Sequence, residues 1–145
     1  MSNNQTTLAL ALLLAVGAAL PAAAQDAANG EKEFTRRCGT CHSIGGGPKK
    51  PAGPDLTGVI GRKAGTMEGF NYSTLNKNAG EAGLIWTEAH INDYLPNPND
   101  FLKKFLTDAG KTDQIKGATR MPPPPGGKDE KVRADLIAFI KTHSK

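Results

Sequence analysis

Both cysteines of the chain fall within five residues, Cys38-Gly39-Thr40-Cys41-His42. Two thiols three positions apart can add to the two vinyl groups of one haem, and the imidazole beside the second thiol is then delivered to the iron. The same spacing also suits half a zinc site, a redox-active thiol pair or a plain disulfide. A zinc site needs two further ligands, and beyond His42 the chain has only His90 and His143, at spacings that match no zinc module. A thioredoxin-like pair calls for a βαβ setting, whereas the flanks are rich in Gly and Pro and show no alternating apolar run. A disulfide across a two-residue gap closes so small a loop that it would stabilise little. Haem attachment uses all three side chains: Cys38 and Cys41 as covalent anchors and His42 as proximal iron ligand.

An iron held by His42 needs a second protein ligand or an open face, and the choice separates electron carriers from haem enzymes and gas sensors. After the haem motif the thioethers are Met67 and Met121. Met67 sits in a Gly-rich stretch beside Glu68, a place that suits a surface or haem-edge role. Met121 follows Thr119-Arg120 and precedes Pro122 to Pro125. A residue before Pro is pushed towards extended dihedrals and a proline run favours stiff polyproline II, so this segment can hold a thioether in place without a helix. His90 is the competing ligand, since imidazole binds haem iron well, although a partly exposed surface histidine is the plainer reading of it. Met121 would leave the iron six-coordinate and imply outer-sphere electron transfer; the alternative is a haem enzyme or gas sensor with an exchangeable sixth ligand.

The elements that must position these groups read as helices and loops. A helix is predicted from Asp26 to Cys41, with Asp26 or Asn29 as N-cap and Glu31 and Glu33 in the first turn. Phe34, Cys38 and Cys41 would share a face on the haem, and Gly30 offers a place for another helix to approach. Between Ser43 and Gly69 the Gly and Pro punctuation predicts a long loop. Long loops in compact domains are usually functional, and the simplest use of this one is to wrap a flat cofactor. Aromatic residues are only 6% of the chain, so a haem would supply much of the apolar core. Further helices are predicted over about Thr87–Leu95, Pro98–Leu106 and Lys128–Thr142, each with an apolar stripe at helical spacing. The fold class is therefore all-α.

The 145 residues suffice for one domain. From Leu8 to Ala24 runs an uncharged Leu/Ala-rich stretch ending Pro21-Ala22-Ala23-Ala24-Gln25, which predicts a cleaved secretory signal peptide over 1–24, a single domain over 25–145 and a periplasmic location. An uncleaved anchor would read similarly, though the stretch is marginal for a bilayer core of about 30 Å. The net charge of +4 suits an acidic protein partner better than nucleic acid, because the Lys and Arg residues are scattered and few aromatics are interleaved with them.

Several further motifs recur in order. Gly30-x-x-x-Phe34 precedes the haem motif, and Gly53-Pro54-Asp55-Leu56, Gly61-Arg62-Lys63, Gly69-Phe70-Asn71-Tyr72, Tyr94-Leu95-x-Asn97-Pro98, Thr119-x-Met121 and Asp135-Leu136-Ile137-Ala138-Phe139 follow it. With these, residues from Gly30 to about Lys141 resemble the class I c-type cytochromes, in the branch of bacterial cytochrome c2 and mitochondrial cytochrome c. The resemblance implies a small cytochrome c fold of three to five helices and long loops around one covalently bound haem c. It implies that the Pro54 carbonyl accepts a hydrogen bond from His42, that Arg62, Tyr72 and Trp86 bond a haem propionate with Asn76 nearby, and that the Tyr94 hydroxyl approaches the Met121 sulfur beside Thr119. It implies a carrier rather than an enzyme: soluble, monomeric and not membrane-inserted once cleaved. Such a carrier would take electrons from a cytochrome bc complex to a reaction centre, oxidase or reductase. Acidic partners would dock at a haem edge rimmed by Lys49, Lys50, Arg120, Lys103 and Lys104. Three departures stand out: about a dozen extra residues between Pro98 and Met121, a smaller insertion around Ala79–Gly83, and four prolines after Met121.

Overall fold

The computed structural model describes residues 25–144. The predicted signal peptide and its cleavage site lie outside the described residues. Those residues form five α-helices: α1 (Ala27–Arg37), α2 (Thr74–Glu81), α3 (Glu88–Tyr94), α4 (Pro98–Asp108) and α5 (Glu130–Thr142), with a 3-10 turn at Thr112–Gln114. The all-α expectation holds, and extended pairing among the described residues is limited to one antiparallel bridge between Lys63 and Ile85. None of these helices is long and apolar enough to cross a membrane.

Each helix starts on a side-chain cap. Asp26, Ser73, Thr87, Asn97 and Asp129 accept from the backbone N–H three residues on, and each such cap contributes about 1 kcal/mol. Capping by Asp26 starts α1 early enough that its first turn carries no acid, contrary to the placement of Glu31 and Glu33 there. Glu33 instead binds Arg36 and Arg37. The helix also stops at Arg37, four residues short of Cys41, and Cys38 is its C-cap.

The terminal helices cross at Gly30, where a Cβ would lie 1.9 Å from the Asp135 carbonyl oxygen and 2.8 Å from Phe139 Cβ. Next to the crossing, Phe34 and Phe139 pack with ring centroids 5.4 Å apart. Phe34 is therefore buried in the helix interface and does not line the haem cavity as the single-face expectation had it. The α2 helix was not foreseen. It closes with Gly83 at φ 101°, its N–H on Gly80 O and that of Leu84 on Ala79 O, a Schellman ending. The insertion around Ala79–Gly83 is the end of this helix, and part of the longer one before Met121 forms the 3-10 turn.

Two apolar clusters result. Phe34, Val59, Ile91, Leu95 and α5 residues Leu136, Ile137, Phe139 and Ile140 form one; Ala64, Leu75, Ala79, Leu84, Tyr94, Leu102 and Leu106 form the other. Trp86 and Met121 pack against both, and the cavity described below is walled by residues of both clusters.

Candidate haem site

The haem motif forms a tight turn at the end of α1. The N–H groups of Cys41 and His42 both donate to Cys38 O, at 3.0 and 2.8 Å, which brings Cys38, Cys41 and His42 to the wall of one cavity. The two cysteines are not joined to each other in a disulfide. Burial pushes the Cys38 thiol up to about 11, against the pull of the neighbouring Arg37.

His42 is buried, with Nδ1 2.8 Å from Pro54 O. A carbonyl can only accept, so Nδ1 carries the proton and the lone pair of Nε2 is left for a metal. Burial lowers the pKa of the ring, against the opposing pull of Pro54 and Asp55, and this favours the neutral imidazole that ligation requires. The segment 53–57 is sewn to the motif by more bonds. Leu56 N donates to Ser43 O at 2.8 Å, Gly45 N to Thr57 Oγ1 at 2.8 Å and Ser43 Oγ to Asp55 Oδ2 at 2.5 Å. Burial works against ionisation of Asp55, but Ser43 and Thr57 outweigh it and hold the carboxyl below its usual range.

The cavity, about 150 Å³, takes its walls from the long loop, α3, α5 and the Met121 segment. Arg62, Tyr72, Asn76, Trp86, Tyr94, Thr119 and Met121 all line it together with Pro54 and the haem motif. Trp86 is aimed by backbone bonds around the Lys63–Ile85 bridge: Trp86 N donates to Arg62 O at 2.9 Å and Gly61 N to Trp86 O at 2.7 Å. Arg62 is half-buried and donates to Asp55 O at 2.9 Å and Thr57 O at 3.2 Å. Burial pushes its pKa down while Tyr72 and Asp55 pull it up. Burial raises the pKa of Tyr94, against the opposing influence of the polar side chains of Thr119 and Asn76. Asn76 itself is held by Ser73, whose hydroxyl donates to Asn76 Oδ1 at 2.6 Å.

The competing ligands lie elsewhere. His90 Nδ1 faces Ile85 O at 2.6 Å and its ring packs on Phe101 and Phe105; it does not line the cavity. Met67 lies in a separate depression, 3.9 Å from Arg62 Nη1. That depression also holds Lys49 and Lys50, and it shares Ala52, Gly53, Pro54, Phe70 and Arg120 with the main cavity. Lys103 and Lys104 border neither space, and Lys104 pairs with Asp108 at 2.5 Å, so the expected basic rim is reduced to Lys49, Lys50 and Arg120. Sequence reasoning missed the bracing of the motif by Ser43, Asp55 and Thr57. The Asp-x-Thr spacing of an Asx turn was the available signal. It also missed Arg37, whose contacts on the far side of the fold leave no spacing to read.

A thiol pair, a free imidazole nitrogen and a thioether on one apolar cavity make a donor set that fits covalently bound haem. The comparisons with known proteins agree. The family model described as Cytochrome c matches residues 27–109. Cytochrome c2 iso-2 of Rhodospirillum centenum is 51% identical over 123 residues, 82% of this chain and 96% of that protein. Cytochrome c2 of Blastochloris viridis is 41% identical, with 92% of this chain and 91% of that protein covered. Among solved structures, cytochrome c2 of Rhodospirillum centenum superposes with a TM-score of 0.75 at 50% identity, covering 83% of this chain and 99% of that one. The ferricytochrome c2 of Rhodopseudomonas palustris gives a TM-score of 0.73 at 49% identity, covering 82% and 99%. By family model, relatives, fold and donor set alike, the chain belongs to the cytochrome c family, with a covalently attached haem c and a role in electron transfer rather than catalysis.

Proposed function

We propose that the chain is an exported, periplasmic one-electron carrier whose haem iron is held by His42 and Met121, the leader being removed after Ala24. The observation that carries this reading is that His42, with Nδ1 committed to Pro54, and Met121 line the same cavity as both cysteines, while His90 and Met67 do not. The haem supplies reversible one-electron transfer at its iron. The protein's part is to hold that centre closed and dry. As the second iron ligand, Met121 would leave no position for substrate, and a thioether would raise the reduction potential relative to two nitrogen ligands. Arg62, Tyr72, Trp86 and Asn76 would hold the propionates. Their place in the cavity wall and the half-burial of the Arg62 guanidinium support that role. Partners would be membrane redox complexes, a cytochrome bc complex on one side and a reaction centre, oxidase or reductase on the other.

The test is spectroscopic. The ferric holoprotein should show the weak long-wavelength band of thioether–iron ligation, and Met121→Ala should abolish it and open the iron to carbon monoxide in the ferrous state. A wild-type protein that lacks the band and binds carbon monoxide at neutral pH would instead be a haem enzyme or gas sensor. Mass spectrometry of the exported protein checks the cleavage after Ala24.

A further inference from the structure

The four prolines after Met121 have no N–H to donate, so the loop that carries the proposed distal ligand must be pinned through its carbonyls and neighbours. Gly127 N donates to Pro124 O at 2.9 Å, and two arginines pin the ends of the run. Before the run, Arg120 Nη1 donates to Asn71 O at 2.9 Å. After it, Arg37 Nη1 donates to Pro125 O at 2.6 Å, across 88 positions of sequence. The Arg37 guanidinium is held from behind by the Glu33 carboxylate, and the two side chains are only 17% and 12% exposed. It also lies flat against Gly126, where a Cβ would come within 2.6 Å of Nη1. Gly126 has φ 76°, a conformation natural to glycine, and this lets the chain turn over the guanidinium.

Arg37 is the last residue of α1 and the neighbour of Cys38. The contact therefore ties the distal loop directly to the helix end that bears the covalent attachment. We infer that Arg37, oriented by Glu33, is a positioning residue for Met121: it resists the opening of the Pro122–Pro125 loop by holding its far end against the proximal helix. The inference rests on Met121 being the distal ligand. An external ligand reaches the iron only when Met121 leaves and the loop lifts, and lifting breaks the Arg37–Pro125 bond, which Arg37→Ala lacks from the outset. The affinity for such a ligand should rise when that charge-assisted bond is removed.

The experiment measures imidazole binding to the ferric holoprotein, read by loss of the thioether–iron band, in wild type, Arg37→Ala, Arg37→Lys and Gly126→Ala. Arg37→Ala should bind imidazole on the order of tenfold more tightly, as expected for one lost charge-assisted hydrogen bond. Arg37→Lys, which keeps one charged donor, should recover part of the difference. Gly126→Ala, which crowds the guanidinium but leaves Arg37 in place, should move in the same direction as Arg37→Ala. Melting followed by far-UV circular dichroism serves as the control, since a merely structural role would move the melt without changing imidazole affinity at a temperature where all variants are folded. Equal affinities with the band present in wild type overturn the inference alone. Absence of the band in wild type overturns the ligand assignment, and the inference with it.

Discussion

A methyl group on Gly53 would stand 2.7 Å from Cε1 and 2.8 Å from Nδ1 of His42, and 2.8 Å from Cys41 O. The His42 imidazole is thus seated against bare backbone, with the next residue supplying the carbonyl that fixes its tautomer. Gly53→Ala must push the ring away and stretch the bond to Pro54. The expected result is a loss of about 1–3 kcal/mol in denaturant unfolding of the ferric holoprotein, the usual range for overpacking. The reduction potential should also rise, because a weaker Nδ1–H bond makes the ligand less basic and stabilises ferric iron less. Unchanged stability together with an unchanged potential would count against this seating. The pairing of His42 with Pro54 was legible from the order of motifs. The steric role of Gly53 was not, because sequence shows that a side chain is missing but not what stands in its place.

At the scale of elements, α1 and α5 are locked by the Asp135 carboxylate, which is fully buried. It accepts from Asp26 N at 2.9 Å, from Asn29 Nδ2 at 2.8 Å and from Lys131 Nζ at 2.6 Å. Burial works against its ionisation, but Lys131, Asn29 and the Asp26 N–H outweigh that and hold its pKa below the ordinary value. A lowered folded value means that the stabilisation is complete above the unfolded pKa and is lost as pH falls through the folded one. Asp135→Asn should therefore cost about 1–3 kcal/mol at neutral pH, and the gap to wild type should shrink in acid below the ordinary carboxylate range. A gap that stays constant down to the acid transition would show that the carboxylate charge is not what locks the helices. The long amphipathic helices could be read from the sequence because Ile91, Leu102 and Leu136 recur with their neighbours at helical spacing. The α2 helix could not, since Asn76, Asn78 and Gly80 lower its propensity and its buried face, Leu75, Asn76, Ala79 and Gly80, carries only two apolar side chains, Leu75 and Ala79. What holds it is tertiary: Gly80 approaches so closely that a Cβ would lie 2.0 Å from Ala64 O.

Across the whole molecule, the net charge of +4 matters less than where it meets the cavity. Lys49, Lys50 and Arg120 gather in the depression that adjoins the haem cavity, whereas Lys103 and Lys104 stand on α4 away from it. Positive charge beside the cavity raises the encounter rate with anions and is screened once ionic strength shortens the Debye length, about 10 Å at 0.1 M. Ferricyanide, an anionic outer-sphere oxidant, tests this without knowledge of the natural partner. Oxidation of the ferrous holoprotein should slow as salt is added, and the double variant Lys49→Glu, Lys50→Glu should react about threefold to tenfold more slowly at low salt. Arg120 is left unchanged because it also holds Asn71. The two proteins should converge at high salt, where steering is screened and only the intrinsic transfer step remains. Reversing Lys103 and Lys104 to Glu should produce a smaller effect despite the identical change in net charge. An equal effect from the α4 pair would show that total charge, rather than the edge beside Gly53 and Pro54, governs the approach.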